Sequence, residues 1–257
     1  MKIVNPLYDK AFKYLMENEK YARKVLSVIL DTEVEEVSLG QQETVVPHEK
    51  RSLSLFRLDF KALIKDADGT RKKVLIELQK SKYVTDIKRF RNYLGSNYMA
   101  AEPAVPYDNE QAGMYPIITI YILGYNLDDL PYMAVTVNKD VVNSVSKKKV
   151  NVKSFFIDHL THTSYIIQVR RLPDKRRSRL ENFLVLFNQA WCTENKYILD
   201  LQDIDEEFKD MAKYLQIPVM DDSFRRQLEG EEEIDTIFDT QEAEYLQKIE
   251  EERRQKE

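Results

Sequence analysis

A chain of 257 residues, 43% hydrophobic and 11% aromatic, can bury one large core or a core with an appendage, and its 32% charged residues require a well-hydrated surface. A single cysteine, Cys192, excludes an internal disulfide framework and a cysteine-based metal cluster, and no apolar run approaches the ~18 residues of a membrane span. The net charge of −5 divides unevenly: residues 200–257 carry 20 acids and 8 bases, a balance of −12, and residues 1–199 carry 24 acids and 31 bases, a balance of +7. A basic body suits a polyanionic partner, whereas a solvated acidic tail needs no function at all. Met1 to Pro6 hold no apolar leader, so a cytoplasmic protein with no membrane partner is the expectation.

Residues 7–30 read as helix with a break near Asn18, and Asn5-Pro6 reads as its start, Asn5 as cap and Pro6 at the first helical position. Residues 34–46 contain a strand ending at Pro47. Residues 53–64 form another, Asp68-Gly69 signals a turn, and Lys73 to Gln79 supply the return strand of a hairpin. Residues 85–101 are helical and Tyr115 to Leu123 form a buried strand. Beyond residue 124, Met133 to Val137 and Tyr165 to Val169 read as strands. Arg179 to Trp191, residues 203–216 and residues 231–252 read as helices. The expected class is α/β: a mixed central sheet flanked by helices, with a helical C-terminal region. Residues 1–125 are the αβββαβ core, 126–220 continue the same domain, and 221–257 form an acidic helical tail.

Side chains two apart on a strand share a face, so Asp59 and Lys61 point one way, as do Glu77 and Gln79, and across a hairpin the two sets can meet. Their flanks, Leu55, Leu63, Val74, Ile76 and Leu78, are apolar. Charged groups amid such strands are costly unless paired or bound to a cation. Two converging carboxylates suit magnesium, which takes oxygen ligands and keeps several waters. The ordinary alternative is that Asp59, Lys61 and Glu77 line the wet face of an antiparallel hairpin.

The run Arg57-Leu58-Asp59-Phe60-Lys61, followed by Val74-Leu75-Ile76-Glu77-Leu78-Gln79-Lys80, resembles the PD-(D/E)xK nuclease signature. With the opening Asn5-Pro6-Leu7-Tyr8-Asp9-Lys10-Ala11-Phe12-Lys13 and the later Asp86, Arg89, Arg91 and Tyr93, it is similar to the PD-(D/E)xK family transposase group, related to the Rpn recombination-promoting nucleases. The resemblance covers residues 5–125. It implies a restriction-endonuclease-like core and cleavage of DNA with magnesium, for which manganese can substitute. It further implies Asp59 and Glu77 as metal ligands, joined by Asp9 from the first helix. The departure is Gln79 where the pattern has lysine, since an amide carries no positive charge. Lys61, Lys80 or Lys13 could replace that charge; Lys80 lies on the opposite strand face from Gln79, which favours Lys61.

The candidate catalytic set is therefore Asp59, Glu77, Gln79 and Lys61. Lys88, Arg89 and Arg91 follow the second motif and are placed to hold a scissile strand, and Arg176 and Arg177 belong to a basic cluster able to meet phosphates. His48, His159 and His162 form no zinc spacing. Three functions remain open: a DNA endonuclease, a non-catalytic nucleic-acid-binding or accessory protein with the same fold, and an interaction protein working through its acidic tail. Each leaves room for a homo-oligomer.

Overall fold

The computed structural model describes residues 1–39, 43–46, 54–57, 60–67, 69–80, 86–99, 115–152 and 154–254. In chain order the elements are β1 (Lys2–Val4), α1 (Asp9–Glu17), α2 (Glu19–Leu30), β2 (Val34–Leu39), β3 (Glu43–Val46), β4 (Ser54–Arg57), β5 (Phe60–Asp66), β6 (Arg71–Gln79), α3 (Asp86–Met99) and β7 (Ile117–Leu123). They continue with β8 (Ala134–Val137), α4 (Phe155–Leu160), β9 (Thr163–Gln168), α5 (Arg179–Leu184), β10 (Ile198–Asp200), α6 (Lys209–Gln216) and α7 (Asp222–Arg254). Among the described residues the central sheet is six-stranded and mixed, in the order β2-β5-β6-β7-β9-β8. The fold is thus α/β, with helices flanking the sheet and a C-terminal helix.

The expected break at Asn18 separates α1 from α2. Asn18 is extended (φ −83°, ψ 107°), and its side chain accepts from the Tyr21 amide, capping α2. The left-handed Asp31 (φ 50°) ends that helix. The expected cap at Asn5 is not formed. Helix α1 starts at Asp9, and Tyr8, its N-cap residue, makes no side-chain capping bond. Asn5 is instead buried; its Oδ1 accepts from Leu7 N (3.1 Å), and its Nδ2 donates to Gln189 Oε1 and Lys196 O, 3.0 Å each. It ties the N-terminus to the segment beside β10, which pairs with β1.

Two strand expectations are redrawn. Residues 34–46 hold two strands, β2 in the central sheet and β3 in a separate two-stranded sheet with β4. The stretch 53–64 likewise divides into β4 and β5, which join different sheets. Strand propensity is set locally, but pairing partners are set by tertiary packing. The helix expected over Arg179 to Trp191 ends at Leu184 and continues as two 3-10 turns. The one expected from residue 231 begins nine residues earlier, at Asp222.

The β5–β6 hairpin is antiparallel, pairing Phe60 with Ile76 and Lys61 with Leu75. Gly69 (φ 82°) supplies the left-handed backbone of its turn. Burial on β5 alternates residue by residue, while β6 is buried on both faces from Lys73 to Gln79. The difference follows from position. Strand β6 lies between β5 and β7, and each face carries a helical layer. Helix α3 is the crossover between the parallel strands β6 and β7.

The two faces of β6 meet different layers. Val74, Ile76 and Leu78 enter the large core with α1, α2, α5 and α6; Phe12 of α1 meets Phe60 edge-to-face, ring centroids 6.3 Å apart. Lys73, Leu75, Glu77 and Gln79 take the other face. There Leu75 and Ile117 pack with Tyr93 and Leu94 of α3. The buried Lys73 ammonium donates to the carbonyl of Asn97 (3.1 Å), in the last turn of α3. A cation at a helix C-terminus complements both its open carbonyls and its dipole. That contact sets the C-terminal end of α3 over the start of β6, so its N-terminal half runs toward Gln79.

Candidate active site

Glu77 is 1% exposed and Gln79 7%, so both belong to the interior and not to a wet hairpin face. Lys61 faces the same way, because it sits directly opposite Leu75, one pleat from Glu77. On the far side of β6, Glu77 pairs with Tyr121 and Gln79 with Leu123. Burial raises the Tyr121 phenol well above its ordinary value, and the Glu77 carboxylate beside it adds to the shift. The Tyr121 ring packs on Phe90 of α3 at 4.2 Å between centroids.

Gln79 is held from two directions. Its carbonyl accepts from Gly124 N at 2.6 Å, and its side-chain Oε1 accepts from the Tyr125 hydroxyl at 2.8 Å. Nε2 is then the donor that remains for a ligand. Next to it a cleft of about 440 Å³ opens between the sheet and the N-terminal half of α3, with Arg91 at its edge and exposed. The cleft lies over the C-terminal ends of the parallel strands β6 and β7, where open α/β sheets bind ligands, and extends to His162, Ser164 and Ile166 at the start of β9. Tyr121, Tyr125 and Gly124 were not singled out from sequence. The available signal was a glycine ending an apolar strand, in a chain with six glycines, followed by a tyrosine.

Not every expected participant meets at this face. Asp59 lies outside the described residues, as do the side chains of Lys88 and Arg89, whose backbone belongs to α3. Asp9 opens α1, in the layer on the opposite side of the sheet from Glu77, and its carboxylate pairs with Lys13 at 2.6 Å. Arg176 pairs with Asp203, and the exposed Arg177 shares the loop before α5, which packs into the core on that same opposite side. Among the described residues, then, the structure joins Glu77, Gln79, Lys61 and Arg91 on one face. It does not bring Asp9, Arg176 or Arg177 to it.

Among the described residues no three His, Cys, Asp or Glu side chains gather in a group that could hold a metal ion. Of the candidate set, the described Glu77 is a donor of the kind magnesium takes. Glu77 supplies a buried carboxylate, a hard oxygen donor, with a lysine on the same face for an anionic ligand. Gln79 fits less well as a ligand, since Tyr125 already donates to its oxygen.

Lys80 belongs to a second polar assembly on the α1 side. Its ammonium lies 3.4 Å from the centroid of the Tyr8 ring, 3.5 Å from Glu232 and 3.8 Å from Glu231, and it pairs with Asp235. Glu231 accepts from the amides of Asp9 (2.7 Å) and Lys10 (3.3 Å), so α7 provides the N-terminal cap that α1 lacks. Burial raises the Glu231 carboxyl above its ordinary value. Burial pushes Glu232 the same way, but hydrogen bonds from Tyr8 and Lys196 outweigh it and hold that carboxyl low. The first turns of the acidic helix are therefore docked. The signal was a single helical face: Phe224, Leu228, Glu231, Glu232 and Asp235 recur at spacings of three and four.

Comparison of the chain with protein-family models, with curated proteins and with solved structures finds no match. No described helix is long and apolar enough to cross a membrane.

Proposed function

We propose that the chain is a magnesium-dependent DNA endonuclease of the PD-(D/E)xK, Rpn-like type. The observation that carries the reading is the burial of Glu77, a carboxylate at 1% exposure in the middle of a sheet, on the same face as Lys61 and Gln79. Ionisable groups buried beside a cleft are concentrated at functional sites, because burial is costly and chemistry uses it. The strand order adds support: an antiparallel hairpin leads through a crossover helix to a parallel strand, as the resemblance implies.

In this reading Glu77 and Asp59 would hold the ion, and manganese would substitute for magnesium. When bound, such an ion lowers the pKa of a coordinated water and stabilises charge on the phosphoryl oxygens. Lys61 would contact a non-bridging phosphate oxygen and supply the charge that Gln79 lacks. Gln79, fixed through Oε1 by Tyr125, would present Nε2 to the bound nucleotide. Arg91, at the cleft edge, would hold the strand electrostatically.

The test is plasmid nicking by purified protein with magnesium or manganese. Activity should disappear in Glu77→Gln and in Asp59→Ala, each with an unchanged circular dichroism spectrum. Nicking that survives either substitution refutes the assignment. One observation favours a second reading, a non-catalytic nucleic-acid-binding or accessory protein: Gln79 stands in the lysine position with its oxygen committed to Tyr125. That reading requires salt-dependent DNA binding with no metal-dependent cleavage.

A further inference from the structure

The cleft beside Gln79 is too apolar to carry a phosphodiester backbone. Its walls include Phe90, Leu94, Leu123 and Ile166. A phosphate pressed against them would lose hydration with little to replace it. Its volume of about 440 Å³ lies within the ~300–1,000 Å³ of small-molecule sites. The few polar groups are spaced around the walls. Gln79 offers Nε2. Ser164 accepts from Thr119 (2.8 Å) and keeps its own hydroxyl proton to donate. His162 meets Tyr98 through Nδ1 (2.9 Å), leaving Nε2 for a ligand. Apolar and aromatic walls, a few edge donors and a cation at the mouth describe a receptor for a flat heteroaromatic ring carried on an anion.

The geometry points to this cleft as the seat of a nucleobase unstacked from its strand. The base lies against the Tyr121 and Tyr125 rings with its polar edge toward Gln79 and Ser164, and Arg91 meets the backbone phosphate outside. The inference rests on the nuclease reading, which brings a phosphodiester past Glu77. Glu77 and Gln79 are two residues apart on one strand face, ~7 Å along the sheet, a span comparable to that between a nucleotide's phosphate and its base. Two consequences follow. Single-stranded, frayed or mismatched DNA is preferred to intact duplex, since extrusion from a duplex costs unpairing and unstacking. Affinity for single strands also depends on the presence of bases, not on phosphates alone.

The experiment measures fluorescence anisotropy in EDTA, which separates binding from cleavage. Fluorescein-labelled single-stranded DNA of mixed sequence is compared with an abasic deoxyribose-phosphate strand of equal length. Wild-type protein should bind the base-bearing strand about tenfold more tightly, within the range that base–aromatic stacking supplies. Ile166→Trp and Leu94→Trp, which fill the cleft from the sheet and from α3, should bind both strands alike, at the wild-type affinity for the abasic one. Equal binding by wild type, or a base preference retained in a folded filled variant, overturns the inference. Should both variants unfold, a strand containing 2-aminopurine decides on wild type: quenching on binding supports the cleft, and unquenched emission overturns it. The two readings fail separately. A base preference without metal-dependent nicking removes the nuclease and leaves the cleft; nicking abolished by Glu77→Gln without a base preference does the reverse.

Discussion

Replacing Lys80 with methionine removes one cation from among three carboxylates and leaves a chain of similar length against the Tyr8 ring. Lys80 is 18% exposed as a side chain, and Glu231, Glu232 and Asp235 are 23%, 26% and 30% exposed. Breaking a fully buried pair costs ~3–5 kcal/mol, and an exposed pair contributes less than ~1 kcal/mol. This site lies between the two, and the lost cation–π contact adds a fraction of a kcal/mol. The expected loss is about 2–3 kcal/mol: among the described residues Glu232 keeps the Tyr8 hydroxyl and Lys196, itself 71% exposed, while Glu231 and Asp235 lose their partner cation. Urea unfolding followed by circular dichroism at neutral pH measures that loss, and hydrogen exchange should place the opening at the start of α7. A double-mutant cycle isolates the charge contribution. Lys80→Met combined with Asp235→Asn should recover about 1 kcal/mol, since the second change relieves the repulsion created by the first. A single-variant loss below about 0.5 kcal/mol, or strict additivity in the cycle, would refute the view that Lys80 holds the acidic helix in place.

Gly124→Ala should destabilise by about 1–3 kcal/mol, since an added Cβ meets the Lys80 carbonyl at 2.8 Å and Leu7 Cδ1 at 3.0 Å. Because the Gly124 amide also donates to the Gln79 carbonyl, nicking should fall in this variant even where it remains folded; unchanged stability and activity would contradict the crowding. His162 carries a pH prediction. Burial lowers its imidazole pKa below the ordinary 6.5, so the unfolded chain binds the proton more readily. Its contribution is complete above that ordinary value and is lost as pH falls through it toward the lower folded value. Wild type should therefore lose more stability between pH 7.5 and 5.5 than His162→Gln, as read from urea midpoints, and equal losses would count against the placement of His162.

The helices and strands nearest the site were legible because their signals are local. Apolar residues at helical spacing marked α1 and α2, with Asn18 as the interruption, and the hairpin was marked by two apolar runs around Asp68-Gly69. Residue parity then joined Glu77 to Gln79 and Asp59 to Lys61, and the pairing of Lys61 with Leu75 is what sets Lys61 on the face of Glu77. Asn5 misled because its capping signal is local, whereas its bonds to Gln189 and Lys196 reach 184 and 191 residues along the chain. The division of 34–46 and 53–64 between two sheets was hidden for the same reason: short strands of similar composition do not encode which partner wins.

By itself the amino-acid order determined periodicity, and periodicity determined which side chains share a face of β6. It could not determine what lies across from each face, because that depends on contacts between residues far apart in the chain. Only the tertiary structure decided that α3 covers Glu77 and Gln79, that α1 and α2 cover Val74, Ile76 and Leu78, and that Asp9 therefore opens a helix on the far layer. Only there, too, do the acids of α7 fold back onto Lys80, more than 150 residues earlier. A charge run read in isolation looks solvated until a half-buried cation is placed beside it.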